Sequence, residues 1–181
     1  MVGLDHHLER WVDHHRVAAL DPVFVWLTRF GSYGAVWLVL ALALTLALRS
    51  PRLFLLVAAA DLAAEGLADG LKLAIGRARP VRVFALPQPL VHEPHSSAFP
   101  SGHATTSFAC GTMLSLLLPR AAPVFLLLAA AIAFSRVYVG VHWVGDVVAG
   151  AVLGALIALA IRALLRLAAS RSRSARATRS G

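Results

Sequence analysis

Long apolar runs broken only by short basic or proline-marked turns leave this chain little choice but a lipid bilayer. Crossing a hydrocarbon core in helical form takes roughly 20 residues. Five stretches qualify as candidate spans, at about residues 33–49, 53–75, 101–118, 122–138 and 142–167. Of 181 residues, 59% are hydrophobic and only 14% charged, with a mean hydropathy of +0.74. A soluble domain rarely exceeds about half apolar content. The expected fold is therefore all-α, a polytopic transmembrane bundle forming one unit over residues 1–169, without a linker or internal repeat.

The flanks read differently. Between residues 4 and 20, Leu4, Leu8, Trp11, Val12, Val17 and Leu20 are spaced among His, Asp, Glu and Arg. That pattern predicts an amphipathic helix lying at the membrane interface. Asp21-Pro22 opens a lead-in helix, because proline is tolerated in a first turn. The acidic and His-rich start lacks the basic n-region of a cleavable signal peptide, so the spans themselves are expected to direct insertion. At the other end, "SRSRSARATRSG" (170–181) is basic and poor in large apolar residues. It is expected to be a disordered tail that meets anionic lipid, with no aromatic or folded partner for nucleic acid. Cys110 is the sole cysteine, which excludes an internal disulfide.

Orientation follows from arginine. The turn at 49–52, Arg120 and the tail carry Arg without acids and fall on one side of a five-span chain. They are expected to be cytoplasmic, the protein then lying in a bacterial inner or plasma membrane. The long proline-rich loop 76–100 and the turn at 139–142 meet on the extracytoplasmic face.

Three polar clusters converge there: "KLAIGRARP" (72–80), "PSGH" (100–103) and "SRVYVGVHWVGD" (135–146). Charges at membrane depth are costly and mark a site. Lys72, Arg79 and Arg136 bring three cations together, and Lys72 is the only lysine in a chain with 17 Lys+Arg. Ser101 opens a helix whose free N–H groups suit an anion. Gly102 lets that backbone approach closely. The sum is a phosphate cradle. His142 and Asp146, four apart, share a helical face, so the carboxylate can hold one ring nitrogen and leave the other free to attack. His103 can give a proton to the leaving oxygen and later activate water. These parts suit nucleophilic catalysis through a phosphohistidine.

The same residues resemble the signature of the type-2 phosphatidic-acid phosphatase superfamily of membrane lipid phosphatases. Lys72…Arg79-Pro80, Pro100-Ser101-Gly102-His103 and Ser135-Arg136…His142…Asp146 match it at 11 fixed positions with full spacing. The resemblance implies His142 as nucleophile, Asp146 as its partner and His103 as acid/base. Lys72, Arg79, Ser101, Gly102 and Arg136 would bind phosphate, with no cofactor and no metal. The short chain and "LDPVFVWLTRFGSYG" look most like bacterial polyprenyl-diphosphate phosphatases, such as those acting on undecaprenyl diphosphate. Phosphatidate or phosphatidylglycerophosphate is the alternative substrate class.

A non-catalytic membrane protein or transporter keeping the same fold is the competing class, with Asp61, Glu65 and Asp69 as a conceivable ion path. Retention of both His103 and His142 argues against it. These acids and Lys72 form one stripe at 100° per residue, which should face the bundle interior, and Asp69 is spaced to pair with Lys72. Asp61 and Glu65 lie deeper. "HEPH", with His92, Glu93 and His95, reads as a solvated loop in preference to a metal site.

Overall fold

The computed structural model describes residues 2–84 and 88–177. Its elements are helical throughout, with no strand among the described residues: α1 (Val2–His14), α2 (Asp21–Phe30), α3 (Ala35–Leu48), α4 (Pro51–Ile75), α5 (Pro80–Val83), α6 (Gly102–Leu117), α7 (Ala122–Tyr138) and α8 (Val144–Ala177). Proline stands in the first turn of α2, α4, α5 and α7, where its missing N–H costs no hydrogen bond. The helix ends are equally legible. Gly76 closes α4 with φ 64°, its N–H capping the Lys72 carbonyl.

Helix α6 runs through the middle of the bundle. One face packs on α8 through Gly150 and Gly154, a small-xxx-small pair that lets two backbones meet. A Cβ on Gly150 would lie 2.7 Å from the Ser101 carbonyl, and one on Gly154 would overlap the Thr105 carbonyl. Another face meets α3, α4 and α7 around Trp37, Val57, Met113, Leu114 and Ile132, all buried. Trp37 donates its indole N–H to Ser107 Oγ at 3.1 Å, so its polar atom is satisfied inside the core. These contacts fix the start of α6 against the start of α8, and Ser101 N donates to the Asp146 carbonyl at 3.1 Å.

Two helical stretches, Pro119–Tyr138 and Val144–Ser172, are long and apolar enough to cross a membrane alone. The pair α2 and α3, bent by 68° at its break, could act as a third. Helix α3 has 14 residues and α6 has 16, both short of a full crossing. The structure thus gives an all-helical membrane bundle in which α3 and α6 are shorter, and α4 and α8 longer, than the apolar runs suggested.

The flanks depart further from expectation. Helix α1 turns Leu4, Leu8 and Trp11 outward and buries Glu9 against the protein. The amphipathic pattern is present, with the polar face docked on the bundle and the apolar face left for lipid. The loop 76–100 contains the short helix α5 where no helix was expected. Residues 170–177, expected to be disordered, continue α8. Alanine and arginine propagate a helix well once it is nucleated, and the hydroxyls of Ser170 and Ser172 bond back to the Leu167 and Ala169 carbonyls. Residues 178–181 of that tail lie outside the described residues.

Candidate active site

A cavity of about 590 Å³ opens where the end of α4, the start of α6, the end of α7 and the loop 88–100 meet. Lys72, Asp69, Arg79, Gly102, His103, Arg136 and His142 all line it. Ser101 and Asp146 sit directly behind this lining, both fully buried. Residues from all three polar clusters are therefore brought together.

Arg79 is held hardest. Its Nε donates to the Ser96 carbonyl at 2.8 Å, and Nη2 to the Ser97 carbonyl at 3.1 Å and Ser96 Oγ at 3.2 Å. Nη1 donates to the Val141 carbonyl at 2.8 Å and lies 3.0 Å from His142 Nε2. Burial lowers the Arg79 guanidinium to about 10, yet it stays charged near neutral pH. Arg136, buried at the end of α7, donates Nη1 to Thr28 Oγ1, while its Nε has no hydrogen-bond partner. Lys72 Nζ donates to Asp69 Oδ1 at 2.8 Å, so the expected ion pair forms. It also stands 3.1 Å from where a Cβ on Gly102 would be, so a glycine there leaves the ammonium its place.

His142 sits in the turn between α7 and α8. Because Arg79 donates toward Nε2, that nitrogen carries the lone pair and the ring proton belongs on Nδ1. Burial, followed by Arg136, Arg79 and His103, holds the ring well below the usual histidine range, against the backbone of Ala98, which acts to raise it. The ring is therefore uncharged near neutral pH. Its Nδ1 lies 3.5 Å from Asp146 Oδ2, within ion-pair reach and too long for a hydrogen bond. The carboxylate is engaged elsewhere: Oδ1 accepts from Arg77 Nη1 at 2.6 Å and Oδ2 from Trp143 N at 3.1 Å. His103 Nε2 donates to the Thr28 carbonyl at 3.0 Å, with Ser32 Oγ at 3.3 Å, which leaves Nδ1 as its basic atom. Ser101 Oγ is buried without a partner, beside the open N-terminus of α6.

The acidic stripe only partly faces inward. Asp61 is buried, accepting from Cys110 Sγ at 3.6 Å, and Glu65 lines the cavity. Asp69, however, has 70% of its side chain exposed where it lines the cavity, although Ala68 beside it is buried. In the loop, Glu93 accepts from Arg82 Nε at 2.5 Å, and no cluster suited to a metal ion is present among the described residues.

Sequence reasoning missed Thr28, Ser32, Arg77 and Asp5. A signal existed for the first two: "TRFGSYG" interrupts an otherwise apolar run. Spacing carries none for Asp5 and Arg77, which meet from segments far apart in the chain.

Cations, an open helix start and two histidines meet around one cavity on a helix bundle, an arrangement with the parts needed to bind a phosphate group. Comparison with known proteins agrees on the class. Residues 34–168 match the model of the PAP2 superfamily. This chain belongs to that superfamily and is a membrane-embedded phosphoric ester hydrolase. It is 27% identical over 157 residues to an undecaprenyl-diphosphatase of Sulfolobus acidocaldarius, covering 86% of this chain and 76% of the relative. A decaprenylphosphoryl-5-phosphoribose phosphatase of Mycobacterium tuberculosis is 35% identical over 134 residues, covering 72% of each chain. The fold is similar to that of a transmembrane PAP2-type phosphatidylglycerolphosphate phosphatase from Bacillus subtilis. That structure has a TM-score of 0.73 at 24% identity, over 91% of this chain and 85% of the other.

Proposed function

We propose that this protein removes a terminal phosphate from a polyprenyl diphosphate, undecaprenyl diphosphate being the first choice, through a phosphohistidine on His142. The observation that carries the reading is that His142, whose Nε2 is the lone-pair nitrogen and accepts from Arg79, lines one cavity with Arg79, Arg136 and Lys72. The cations hold the phosphoryl oxygens, joined by the Ser101 hydroxyl and the N–H groups at the start of α6. His142 Nε2 attacks phosphorus, and the bond from phosphorus to the bridging oxygen breaks. A proton from the imidazolium form of His103 goes to the departing lipid phosphate. Neutral His103 then takes a proton from water, whose oxygen attacks phosphorus; the N–P bond breaks and inorganic phosphate leaves. Asp146 stabilises the charge that develops on His142. None of these steps uses a metal. The names of the Sulfolobus and Mycobacterium relatives support a polyprenyl carrier.

Glu65 and Asp69 in the same cavity favour a second reading, a phosphorylated lipid with hydroxyl donors in its head group, since carboxylates accept from hydroxyls and repel a second phosphate. Phosphatidylglycerophosphate and the phosphoribosyl lipid are of that type. We place the site on the extracytoplasmic side of five crossings, with α8 ending in the cytoplasm.

Phosphate release by the purified protein, measured in EDTA across polyprenyl diphosphates, phosphatidate, phosphatidylglycerophosphate and a phosphoribosyl lipid, tests the proposal. The expected result is EDTA-resistant turnover, fastest on the diphosphate and absent in His142→Ala. Near-parental turnover by His142→Ala overturns the mechanism, and a preference for hydroxylated heads overturns the first-choice substrate.

A further inference from the structure

Asp146 is bound from behind by a chain of charges that reaches the N-terminal helix. Arg77 Nη1 donates to Asp146 Oδ1 at 2.6 Å, and its Nη2 donates to Asp5 Oδ2 at 2.6 Å. Asp5 Oδ1 accepts from Gly145 N at 2.8 Å, at the first turn of α8. A Cβ on Gly145 would meet the same carboxylate at 2.7 Å, so glycine there permits the approach. The Arg77 guanidinium also lies 5.6 Å from the Trp143 ring, and His6 stacks on the same residue's ring at 4.6 Å. Three elements are thereby tied together: α1, the loop after α4, and the turn that carries His142.

We propose that Arg77 and Asp5 are positioning residues for His142, acting through Asp146, and that α1 is in this way a working part of the active site. The inference rests on the His142 mechanism proposed above. Arg77 alone would neutralise Asp146 and weaken its hold on the ring. Asp5 returns a negative charge, so the assembly behind His142 Nδ1 carries a net −1 from Asp146, Arg77 and Asp5. In front of the ring stand Arg79, Arg136 and His103, all raising the cost of an imidazolium. The balance between the two sides governs how basic Nε2 is and how well the developing charge on His142 is met. Neither Arg77 nor Asp5 lines the cavity, so neither touches substrate.

The two residues carry opposite charge, which separates this role from plain scaffolding. Asp5→Asn removes a negative charge, so protonation of His142 becomes harder and the acid limb of the kcat profile moves to lower pH. Arg77→Gln removes a positive charge, and the limb moves to higher pH. Each shift is expected to be roughly half a unit or more. In both, kcat falls about tenfold, the scale seen when the group behind an orienting partner is lost, while KM changes little. The double variant Asp5→Asn/Arg77→Gln restores the net charge, and its limb returns toward the parental position. Thermal unfolding in detergent confirms that each variant is folded, and Arg77→Lys, which keeps the charge, retains the parental limb.

The experiment measures kcat against pH for the parent and these variants on one lipid phosphate substrate, beside His142→Ala. Opposite shifts with return in the double variant support the inference. Shifts in the same direction, unmoved limbs, or kcat within twofold of the parent overturn it. An inactive His142→Ala beside such unaffected variants leaves the mechanism standing and removes only the positioning role, whereas an active His142→Ala removes the mechanism itself.

Discussion

One corner of the Arg79 guanidinium grips both the His142 ring and the backbone that carries it: Nη1 is 3.0 Å from Nε2 and 2.8 Å from the Val141 carbonyl. The contact explains how the proposed nucleophile, which sits in a turn, is held without help from helical geometry. In the proposed mechanism, phosphate shares Arg79 with the atom that attacks it, so that binding and alignment are one event.

Replacing Arg79 by lysine keeps the charge and loses the fork. An ammonium cannot meet the Ser96, Ser97 and Val141 carbonyls together, and each orphaned buried acceptor costs about 1–3 kcal/mol. Arg79→Lys should lower kcat by about a hundredfold or more and lower the unfolding temperature in detergent. Phosphate release and calorimetry check this, and a lysine variant with parental kinetics would refute the shared-contact account.

Thr28 supports both sides of the reaction through different atoms. Its hydroxyl accepts from Arg136, and its carbonyl accepts from His103. Thr28→Val removes only the hydroxyl. The expected outcome is weaker phosphate capture, a KM raised about tenfold for one lost charge-assisted hydrogen bond, with kcat within a few-fold of the parent. A selective loss of kcat would show that the carbonyl contact had been disturbed instead.

How much of this was legible in the sequence depends on what each residue had to do. The residues proposed to bind phosphate are confined to three short segments, so their spacing is rigid and readable: Lys72 to Arg79, Ser101 to His103, Arg136 to Asp146. The helix ends were readable too, because proline and glycine impose them. What escaped was long-range pairing. Asp5 meets Arg77 and Gly145 only because α1 folds its polar face onto the bundle, and an amphipathic pattern does not say which face docks. The helical reach of α8 through Ala177 escaped for another reason: a Ser/Arg/Ala composition reads as disorder alone, yet an existing helix extends it at little cost. Asp69 was expected inside and lies largely exposed, since periodicity gives a face but not the open cavity that this face lines.

The α6–α8 contact predicts sharply different outcomes for glycines in the same protein. Gly154→Val forces a branched side chain into the Thr105 carbonyl and the Ala109 N–H, separating the helices that carry His103 and Asp146. It should destabilise by several kcal/mol, as overpacking against backbone does, and abolish turnover. Gly66, within α4, has nothing within 4 Å of a Cβ. Gly66→Ala should stabilise by about 0.5–1 kcal/mol and leave kinetics unchanged. Unfolding curves in one detergent decide both, and equal effects would mean that the close approach is not structural.

Docking of α1 should depend on pH. Glu9 Oε2 is buried without a hydrogen-bond partner, and burial, then Asp13, raises Glu9 from 4.5 to about 8. Between those values the folded protein holds a proton that the unfolded chain releases, so stability falls as pH rises through the window. Glu9→Gln, neutral throughout, should flatten most of that slope. Melting temperatures at pH 5 and pH 8 test it. A parent whose melting point does not fall across this range would count against a neutral Glu9.

The Lys72–Asp69 pair supplies a prediction in which solvent decides the size of the effect. Lys72 is mostly covered, while Asp69 is 70% exposed. An exposed carboxylate is screened by water and salt, so its hold on the ammonium is worth about 1 kcal/mol or less. The pair still has a direction: with Asp69 present, Nζ is held 3.1 Å from where a Cβ on Gly102 would stand, facing the phosphate cradle. Without it, the ammonium is free to swing outward, and the phosphate loses one partner in the ground state and transition state alike. Asp69→Asn should therefore raise KM by about two- to fivefold at low ionic strength, with only a modest fall in kcat. At about 0.5 M salt, where the Debye length drops to a few ångströms, the difference from the parent should disappear. Gly102→Ala, which crowds the same ammonium from the other side, should raise KM regardless of salt. Steady-state kinetics at two ionic strengths separate these outcomes, and an Asp69→Asn enzyme matching the parent in both constants at low salt removes any orienting role for Asp69.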